Sequence, residues 1–145
     1  MMYLSENRPI ETRKVRLLLA EESPTVRQII REELQKASWV EVVAEANNSH
    51  DAVALFFQLK PDVAIISTCL NGHGGFEVLR CIRSVFGNCA TILTSRQPDP
   101  FVAETGRVLG AAAVCCVAQL PTQLVSILQS ATNNGRSTAH EDAIS

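Results

Sequence analysis

Polar side chains that could take part in chemistry stand directly after two apolar segments of the sequence. Ser67 ends the run "DVAIIS" and is followed by a loop with three glycines. Glu21 and Glu22 follow the run "VRLLLA". In α/β proteins the groups that do chemistry usually lie at the carboxyl ends of buried strands. The hydroxyl and the two carboxylates would therefore form one site if the two segments are neighbouring strands.

Two enzyme classes that use similar residues are not supported by the surrounding sequence. A serine hydrolase would place its nucleophile in a G-x-S-x-G turn, whereas Ser67 stands in "IISTC". A nucleotide-binding protein would need a glycine-rich or hydroxyl-rich phosphate loop after the first strand, where "EESPT" repels phosphate. His73 has no second ligand at metal-binding spacing and is predicted to lie in a surface loop. We therefore predict that the chain is not an enzyme.

The spacing of apolar residues along the chain predicts alternating strands and helices. Five short aliphatic runs are predicted as strands buried on both faces, at residues 15–20, 40–46, 62–67, 90–94 and 112–117. Helices are predicted at residues 24–37, 50–60, 76–86, 100–110 and 122–130. Ser23 and Ser49 are predicted to cap the first two helices, Gly75 and Pro121 to begin the third and the fifth, and Gly87 to end the third.

These elements predict a single α/β domain of the flavodoxin-like (βα)5 type. Because parallel neighbours need crossover connections, the five-stranded parallel sheet should carry helices on both faces. The default strand order is 2-1-3-4-5, with its switch point between the first and third strands. Glu21, Glu22 and Ser67 would then meet at one edge of the sheet. The domain is predicted to span residues 14–130, with an N-terminal tail at 1–13 and a C-terminal tail or linker at 131–145.

The composition excludes several broad classes of partner. Thirteen Lys and Arg against fifteen Asp and Glu give a net charge of -2 without a block of like charges, so neither a nucleic-acid nor a membrane surface is indicated. The apolar run after the polar N-terminus is too short for a signal peptide or a membrane span. Five cysteines without a C-x-x-C pair predict buried, reduced thiols in a cytoplasmic protein.

Several motifs agree in order and spacing with one known family. They are the acidic pair after the first strand, "PDVAIIS-x-x-x-N-G-x-x-G-F-E" around the third, "ILTS" at the fourth and "LGAAAVCCVAQLPTQL" at the fifth. Over residues 13–130 the chain resembles the receiver (CheY-like) domain of two-component response regulators. The segment "EVVAEANNSHDAV" is most similar to receivers of the LuxR-type, nitrate-regulator subclass.

The resemblance implies a phosphorelay site, but the chain departs from the family at the reacting positions. Receivers accept a phosphoryl group from a histidine kinase onto an aspartate, beside two acidic residues that hold Mg²⁺, a Thr or Ser, and a Lys. In this chain the phosphoacceptor position is Ser67 and the lysine position is Val117. Thr94 and the acidic pair, as Glu21 and Glu22, remain. We therefore expect a degenerate pocket without aspartyl phosphorylation.

Two further expectations concern the metal ion and the conformational switch. The lost aspartate is also a lost Mg²⁺ ligand, so Glu21 and Glu22 are expected to bind Mg²⁺ only weakly, and no other cofactor is expected. The family's aromatic switch position on the fifth strand is Val114. The linked movement of the ring and the threonine, which reports phosphorylation in the family, is therefore expected to be lost.

Each polar residue also has a structural explanation that needs no ligand. Glu21 and Glu22 precede a helix N-terminus, whose dipole stabilises carboxylates. Ser67 can satisfy backbone groups of the following loop. Thr94 and Ser95 can be pocket residues or turn residues before "RQPDP". These alternatives stay open at the level of the sequence.

The sequence therefore predicts a receiver-like domain that acts as a protein-interaction module. The resemblance implies an output face formed by the fourth helix, the fifth strand and the fifth helix, where a protein partner or a second copy would bind and a histidine kinase could act upstream. Its predicted rim residues are Ala103, Arg107, Gln119 and Gln123, with Val102 or Val108 as an apolar anchor. Two alternatives stay open, a phosphorelay receiver with modified phospho-acceptance and the N-terminal receiver of a longer DNA-binding transcription regulator. No nucleic acid is expected to bind through this domain.

Overall fold

The computed structural model describes residues 13–85 and 88–144, of which 133–144 are described as helical backbone only. The strands are β1 (Val15–Ala20), β2 (Val40–Ala46), β3 (Val63–Ser67), β4 (Ala90–Ser95) and β5 (Ala113–Cys116). The α-helices are α1 (Pro24–Leu34), α2 (Ser49–Leu59), α3 (Gly75–Val85), α4 (Pro100–Val108) and α5 (Leu120–Ile144), and a short 3-10 helix (Val117–Gln119) precedes α5.

The five strands form one parallel sheet in the order β2-β1-β3-β4-β5. Both the predicted fold class and the predicted strand order are therefore confirmed. β1 pairs with β3 along Leu17 to Ala20, and β3 pairs with β4 so that Ser67 lies opposite Thr94. The carboxyl ends of these three strands consequently share one edge of the sheet, which is where the candidate site residues lie.

The sheet is buried on both faces because alternate residues of its central strands point in opposite directions. On β1, Leu17 and Leu19 belong to the core cluster formed with α1 and α5. Leu18 and Ala20 belong to the cluster formed with α2 and α3, and both clusters include residues that are fully buried. Burial of both faces explains why these strands are apolar at successive positions of the sequence.

One helix cap differs from the prediction. Ser23 caps α1 as predicted, since its Oγ accepts the backbone N–H of Val26 at 3.2 Å. α2 is capped by Asn48, whose Oδ1 accepts the N–H of Asp51 at 2.8 Å, so the prediction of Ser49 as the cap is wrong. The Ser49 hydroxyl instead accepts the N–H of His73 at 2.8 Å. It thereby ties the loop after β3 to the start of α2.

The ends of several elements also differ from the predicted bounds. β5 ends at Cys116 because the chain turns into the 3-10 helix there, and α5 begins one residue before Pro121. α5 then continues without a break past residue 130, so the division between domain and C-terminal tail stays a prediction. The predicted end of the third helix at Gly87 lies outside the described residues.

All five cysteines are free thiols, but they differ in exposure. Cys89, Cys115 and Cys116 are buried and Cys81 is half-buried, whereas Cys69 is exposed. Burial raises the pKa of Cys89 to about 12 and that of Cys115 to about 11, so these two thiols are protonated at neutral pH. The expectation of buried thiols is wrong for Cys69.

Within residues 13–85 and 88–144, no helix has both the length and the apolar character needed to cross a membrane.

Candidate functional site

The acidic pair and Ser67 converge at the edge of the sheet where β1 and β3 end. The Ser67 hydroxyl and the Glu21 carboxyl both act on the pKa of Glu22, which requires the three side chains to be close together. Thr94 lies opposite Ser67 on β4 and is 1% exposed. The structure thus places these four predicted site residues around one small region.

Ser67 serves the backbone of the loop that follows it. Ser67 is 4% exposed, and its Oγ accepts the N–H of Cys69 at 3.1 Å. The next residue, Thr68, donates from its N–H and from its hydroxyl to the carbonyl oxygen of Thr94, at 2.9 and 3.1 Å. The Ser67 hydroxyl therefore has the structural role that the sequence left open, because hydroxyls commonly satisfy nearby backbone groups at strand ends.

Glu21 is a buried carboxyl group, only 2% exposed. Its Oε2 accepts the backbone N–H of Ser23 at 2.9 Å, directly before α1. Burial is the largest influence on its pKa and the charge of Glu22 acts in the same direction, and together they outweigh the Ser23 hydrogen bond and raise the pKa to about 7. The buried carboxyl consequently holds its proton far above the usual range.

Glu22 is ionised because an arginine from the opposite side of the site reaches it. Nη2 of Arg96 donates to Oε2 of Glu22 at 2.7 Å. Burial raises the pKa of Glu22, but hydrogen bonds outweigh burial, first among them the one from Arg96, and hold the pKa below its usual value. The second oxygen, Oε1, is buried and receives no hydrogen bond of acceptable geometry. One carboxyl of the pair is thus charged while its neighbour tends to stay protonated.

The residues present do not fit the Mg²⁺ ion that the resemblance implies. Mg²⁺ needs several oxygen ligands in near-octahedral geometry. Here Oε2 of Glu22 is bound by Arg96, Oε2 of Glu21 is bound by the Ser23 N–H, and the third position carries the Ser67 hydroxyl instead of a carboxylate. Over the described part of the chain, no group of three or more His, Cys, Asp and Glu side chains could hold a metal ion.

The remaining predicted positions pack as apolar or turn residues. Val117 begins the 3-10 helix and packs against the core cluster on the α1 and α5 side. Val114 packs under α4, where a Cβ added at Gly106 would lie 2.8 Å from Val114 Cγ2. The hydroxyl of Ser95 donates to the carbonyl of Gln97 at 2.8 Å and so closes a turn, whereas Thr94 belongs to β4.

Comparison with known proteins identifies the family. The family model of the response regulator receiver domain matches residues 17–127. The chain belongs to this receiver family. Its sequence is 31% identical over 119 residues to the uncharacterized transcriptional regulatory protein YxjL of Bacillus subtilis, over 81% of this chain and 54% of that protein. The receiver chain thus spans about half the length of this relative.

Solved receiver structures have the same fold. The receiver domain of the putative response regulator NarL from Mycobacterium tuberculosis superposes with a TM-score of 0.79 at 24% identity, over 84% of this chain and 98% of that one. A LuxR-family DNA-binding response regulator from Staphylococcus aureus gives a TM-score of 0.76 at 25% identity, over 82% of this chain and 99% of that one. The predicted similarity to LuxR-type receivers is confirmed.

Arg96 is the site residue that reasoning from the receiver motifs missed. It follows the end of β4 and lies 74 positions from the glutamate that it contacts. The motifs quoted from the sequence do not include this position. The usable signal is a basic side chain just beyond a strand that ends at the same edge of the sheet as the acidic pair. β3 lies between β4 and β1 in the sheet, so the arginine side chain reaches across the end of β3 to make this contact.

Proposed function

We propose that this chain is a receiver domain that works without aspartyl phosphate, as a protein-interaction module in a cytoplasmic signalling pathway. The observation that carries the proposal is the state of the phosphoacceptor position. An acyl phosphate can form only on a carboxylate, and position 67 carries a hydroxyl that already accepts a backbone N–H. The cation that would neutralise a phosphoryl group is also lost, because Val117 stands at the lysine position.

The fixed position of α4 also supports a module that does not switch. Gly106 lets α4 approach the sheet closely, since a Cβ there would lie 2.7 Å from Leu93 Cδ1 and 2.8 Å from Val114 Cγ2. Leu93 and Val114 therefore pack directly against the backbone of α4, and position 114 carries no aromatic ring that could move. Such a domain can still act by presenting one constant surface.

Two large apolar side chains on α4 indicate where that surface lies. Phe101 is 72% exposed and Val108 is 68% exposed. They are seven positions apart and hence on the same face of the helix, two turns from each other. Val102 is half-buried, so Val108 is the better of the two predicted anchors. The predicted rim residues are all exposed: Ala103, Arg107, Gln119 and Gln123.

A second copy of the chain is the occupant that this face fits best. Glu104 and Arg107 lie between the two apolar anchors and are exposed. A two-fold axis through the middle of α4 would place Phe101 against Val108 of the second copy, because a two-fold interface pairs each residue reciprocally. Glu104 and Arg107 form an ion pair within each helix, and the axis would bring the two ion pairs together so that each glutamate also faces the arginine of the second copy. The face is thus complementary to itself in both apolar character and charge.

A second candidate function is the input domain of a longer transcription regulator. It is favoured by one observation, that the chain spans only 54% of the Bacillus relative, whose name describes a transcriptional regulatory protein. A self-associating receiver would suit this role as well, since dimeric regulators bind paired half-sites. In that case DNA would bind through another domain.

The first test asks whether the domain accepts a phosphoryl group. Incubation with acetyl phosphate and Mg²⁺ should leave the intact mass of the protein unchanged, because neither the acceptor carboxylate nor the lysine is present. Mass spectrometry makes the measurement, with a receiver that retains its aspartate as the positive control. A mass increase of one phosphoryl group that disappears in Ser67→Ala would instead support modified phospho-acceptance at Ser67.

The second test concerns the α4 face and uses self-association measured by sedimentation equilibrium. Phe101→Glu and Val108→Glu should each weaken the dimer at least about tenfold, since each would place a charge against an apolar side chain. Gln28→Glu on α1 is the control and should change nothing. A chain that stays monomeric at all concentrations, or a dimer that Gln28→Glu alone disrupts, would show that the wrong occupant or the wrong face was chosen.

Charge reversal gives a sharper form of the same test. In the proposed dimer, Glu104→Arg alone and Arg107→Glu alone each bring like charges together. A mixture of the two variants should form heterodimers in preference to either homodimer, because both cross-pairs then become attractive. Random mixing of the two variants would contradict the two-fold arrangement.

A further inference from the structure

The ion pair between Arg96 and Glu22 differs from the two arginine–glutamate pairs that lie within a single helix. Arg80 with Glu77 and Arg107 with Glu104 are pairs within one helix, and both partners of each are exposed. The Glu22 side chain is only 11% exposed while that of Arg96 is 54% exposed, and the pair joins two separate loops. The carboxylate thus lies inside the pocket while the guanidinium enters from its rim.

The guanidinium already supplies a positive charge to one carboxylate of the acidic pair. It contacts the carboxylate that the family uses for a divalent ion, at 2.7 Å from Oε2. Arginine is suited to this role, because it is always charged and its flat donor group is more weakly hydrated than an ammonium group. The neighbouring carboxyl of Glu21 has its own donor, the N–H of Ser23. A divalent ion that used Oε2 of Glu22 would therefore have to displace Arg96.

We propose that Arg96 is a built-in cation that replaces the divalent metal ion of the receiver pocket and ties the β4–α4 loop to the end of β1. A metal ion exchanges with solvent, whereas this charge is part of the chain. The pocket is consequently neutralised in the same way at any Mg²⁺ concentration, and a state that depends on bound metal does not arise.

The tether lies on the connection that leads into α4. Arg96 follows β4 directly, and the turn closed by Ser95 and Gln97 is followed by Asp99, whose Oδ1 caps α4 by accepting the N–H of Phe101 at 2.9 Å. Fixing Arg96 therefore limits the movement of the segment that positions Phe101. This part of the inference rests on the proposed function of the α4 face, whereas the replacement of the metal ion does not.

The competition between Arg96 and a metal ion can be measured with Mn²⁺ as a paramagnetic probe. Ser67→Asp restores a third carboxylate. The affinity of this variant for Mn²⁺ is measured from the electron paramagnetic resonance signal of the free ion. Adding Arg96→Gln should tighten Mn²⁺ binding by about tenfold or more, because the oxygen of Glu22 is released and the repulsion by a positive charge is removed. Adding Arg80→Gln removes an exposed arginine that also pairs with a glutamate, and should leave the affinity unchanged.

Equal Mn²⁺ affinity in the Arg96→Gln and Arg80→Gln variants would overturn the replacement of the metal ion by Arg96. The same pair of variants in the unchanged Ser67 background covers the case in which Ser67→Asp does not fold. There, too, the chain with Arg96→Gln must bind Mn²⁺ more tightly than the chain with Arg80→Gln. Neither comparison depends on whether the protein forms dimers, so a failure here is distinct from a failure of the α4 interface.

Hydrogen exchange in the absence of metal tests the tether separately. In Arg96→Gln the amides of Gln97, Asp99 and residues 101–103 should exchange faster than in the unaltered protein, while those of β3 should not change, because the loop has lost its connection to β1. Arg80→Gln, in an exposed ion pair within α3, is the control. Unchanged exchange in the loop and in the first turn of α4 would overturn the tether, whatever the result with Mn²⁺.

Discussion

Replacing Gly75 by alanine is expected to lower the free energy of unfolding by about 3 kcal/mol or more. Gly75 is the first residue of α3, where alanine would ordinarily favour the helix by up to about 1 kcal/mol. A Cβ at this position would, however, overlap the carbonyl oxygen of Ser67 and lie 2.8 Å from its carbonyl carbon. The backbone of a central strand cannot move aside as a flexible side chain can. Urea denaturation of both proteins gives the difference directly.

Gly74→Ala is the matched control for this substitution. Gly74 has a φ of +86°, but a Cβ there would meet only the Thr68 carbonyl oxygen at 3.9 Å, so only backbone strain opposes the change. We expect a cost of about 1 to 2 kcal/mol. If both substitutions lower the free energy of unfolding by the same amount, the start of α3 is not in close contact with the end of β3. If Gly75→Ala lowers it more, the backbone at position 67 is held in place by contacts that need no phosphoryl group.

The fold could be predicted because its main signals are local. The strands are short aliphatic runs, and the starts of α1 and α4 combine a cap residue with a proline. Ser49 shows the limit of this reasoning. It is as good a cap residue as its neighbour Asn48, but its hydroxyl bonds to His73, which lies 24 positions further along the chain. Which of two adjacent residues caps a helix was therefore decided by a distant loop.

The sequence predicts the site residues except Arg96, but it does not predict their charge state. Glu21, Glu22 and Ser67 are predicted because parallel strands bring their carboxyl ends together, and Thr94 is predicted from the resemblance to receivers. The contact from Arg96 depends on the reach of a long side chain across the end of the sheet, which a motif does not encode. Without that contact, the two glutamates look alike in the sequence, whereas in the structure one is ionised and the other tends to hold a proton.

The largest pH-dependent effect is expected from Glu21→Gln. Burial, aided by the charge of Glu22, raises the pKa of Glu21 from 4.5 to about 7 in the folded protein. The folded state therefore holds a proton that the unfolded chain has already lost, so stability falls as the pH rises from about 4.5 to about 7. Glutamine cannot ionise and still offers an oxygen to the Ser23 N–H. At about pH 8 the variant should be more stable than the unaltered protein by about 3 kcal/mol, and near pH 4 the difference should vanish.

Glu22→Gln should show the opposite sign and serves as the control. The pKa of Glu22 is lowered in the folded protein, so its ionisation stabilises the fold above the pKa of the unfolded chain, and this contribution is lost as the pH falls through the folded pKa. Its removal should therefore weaken the protein at neutral pH, and the loss should fade in acid. Denaturation curves between about pH 4 and pH 8 separate the two variants. Two curves of the same sign would show that the contact with Arg96 does not make the charge state of Glu22 differ from that of Glu21.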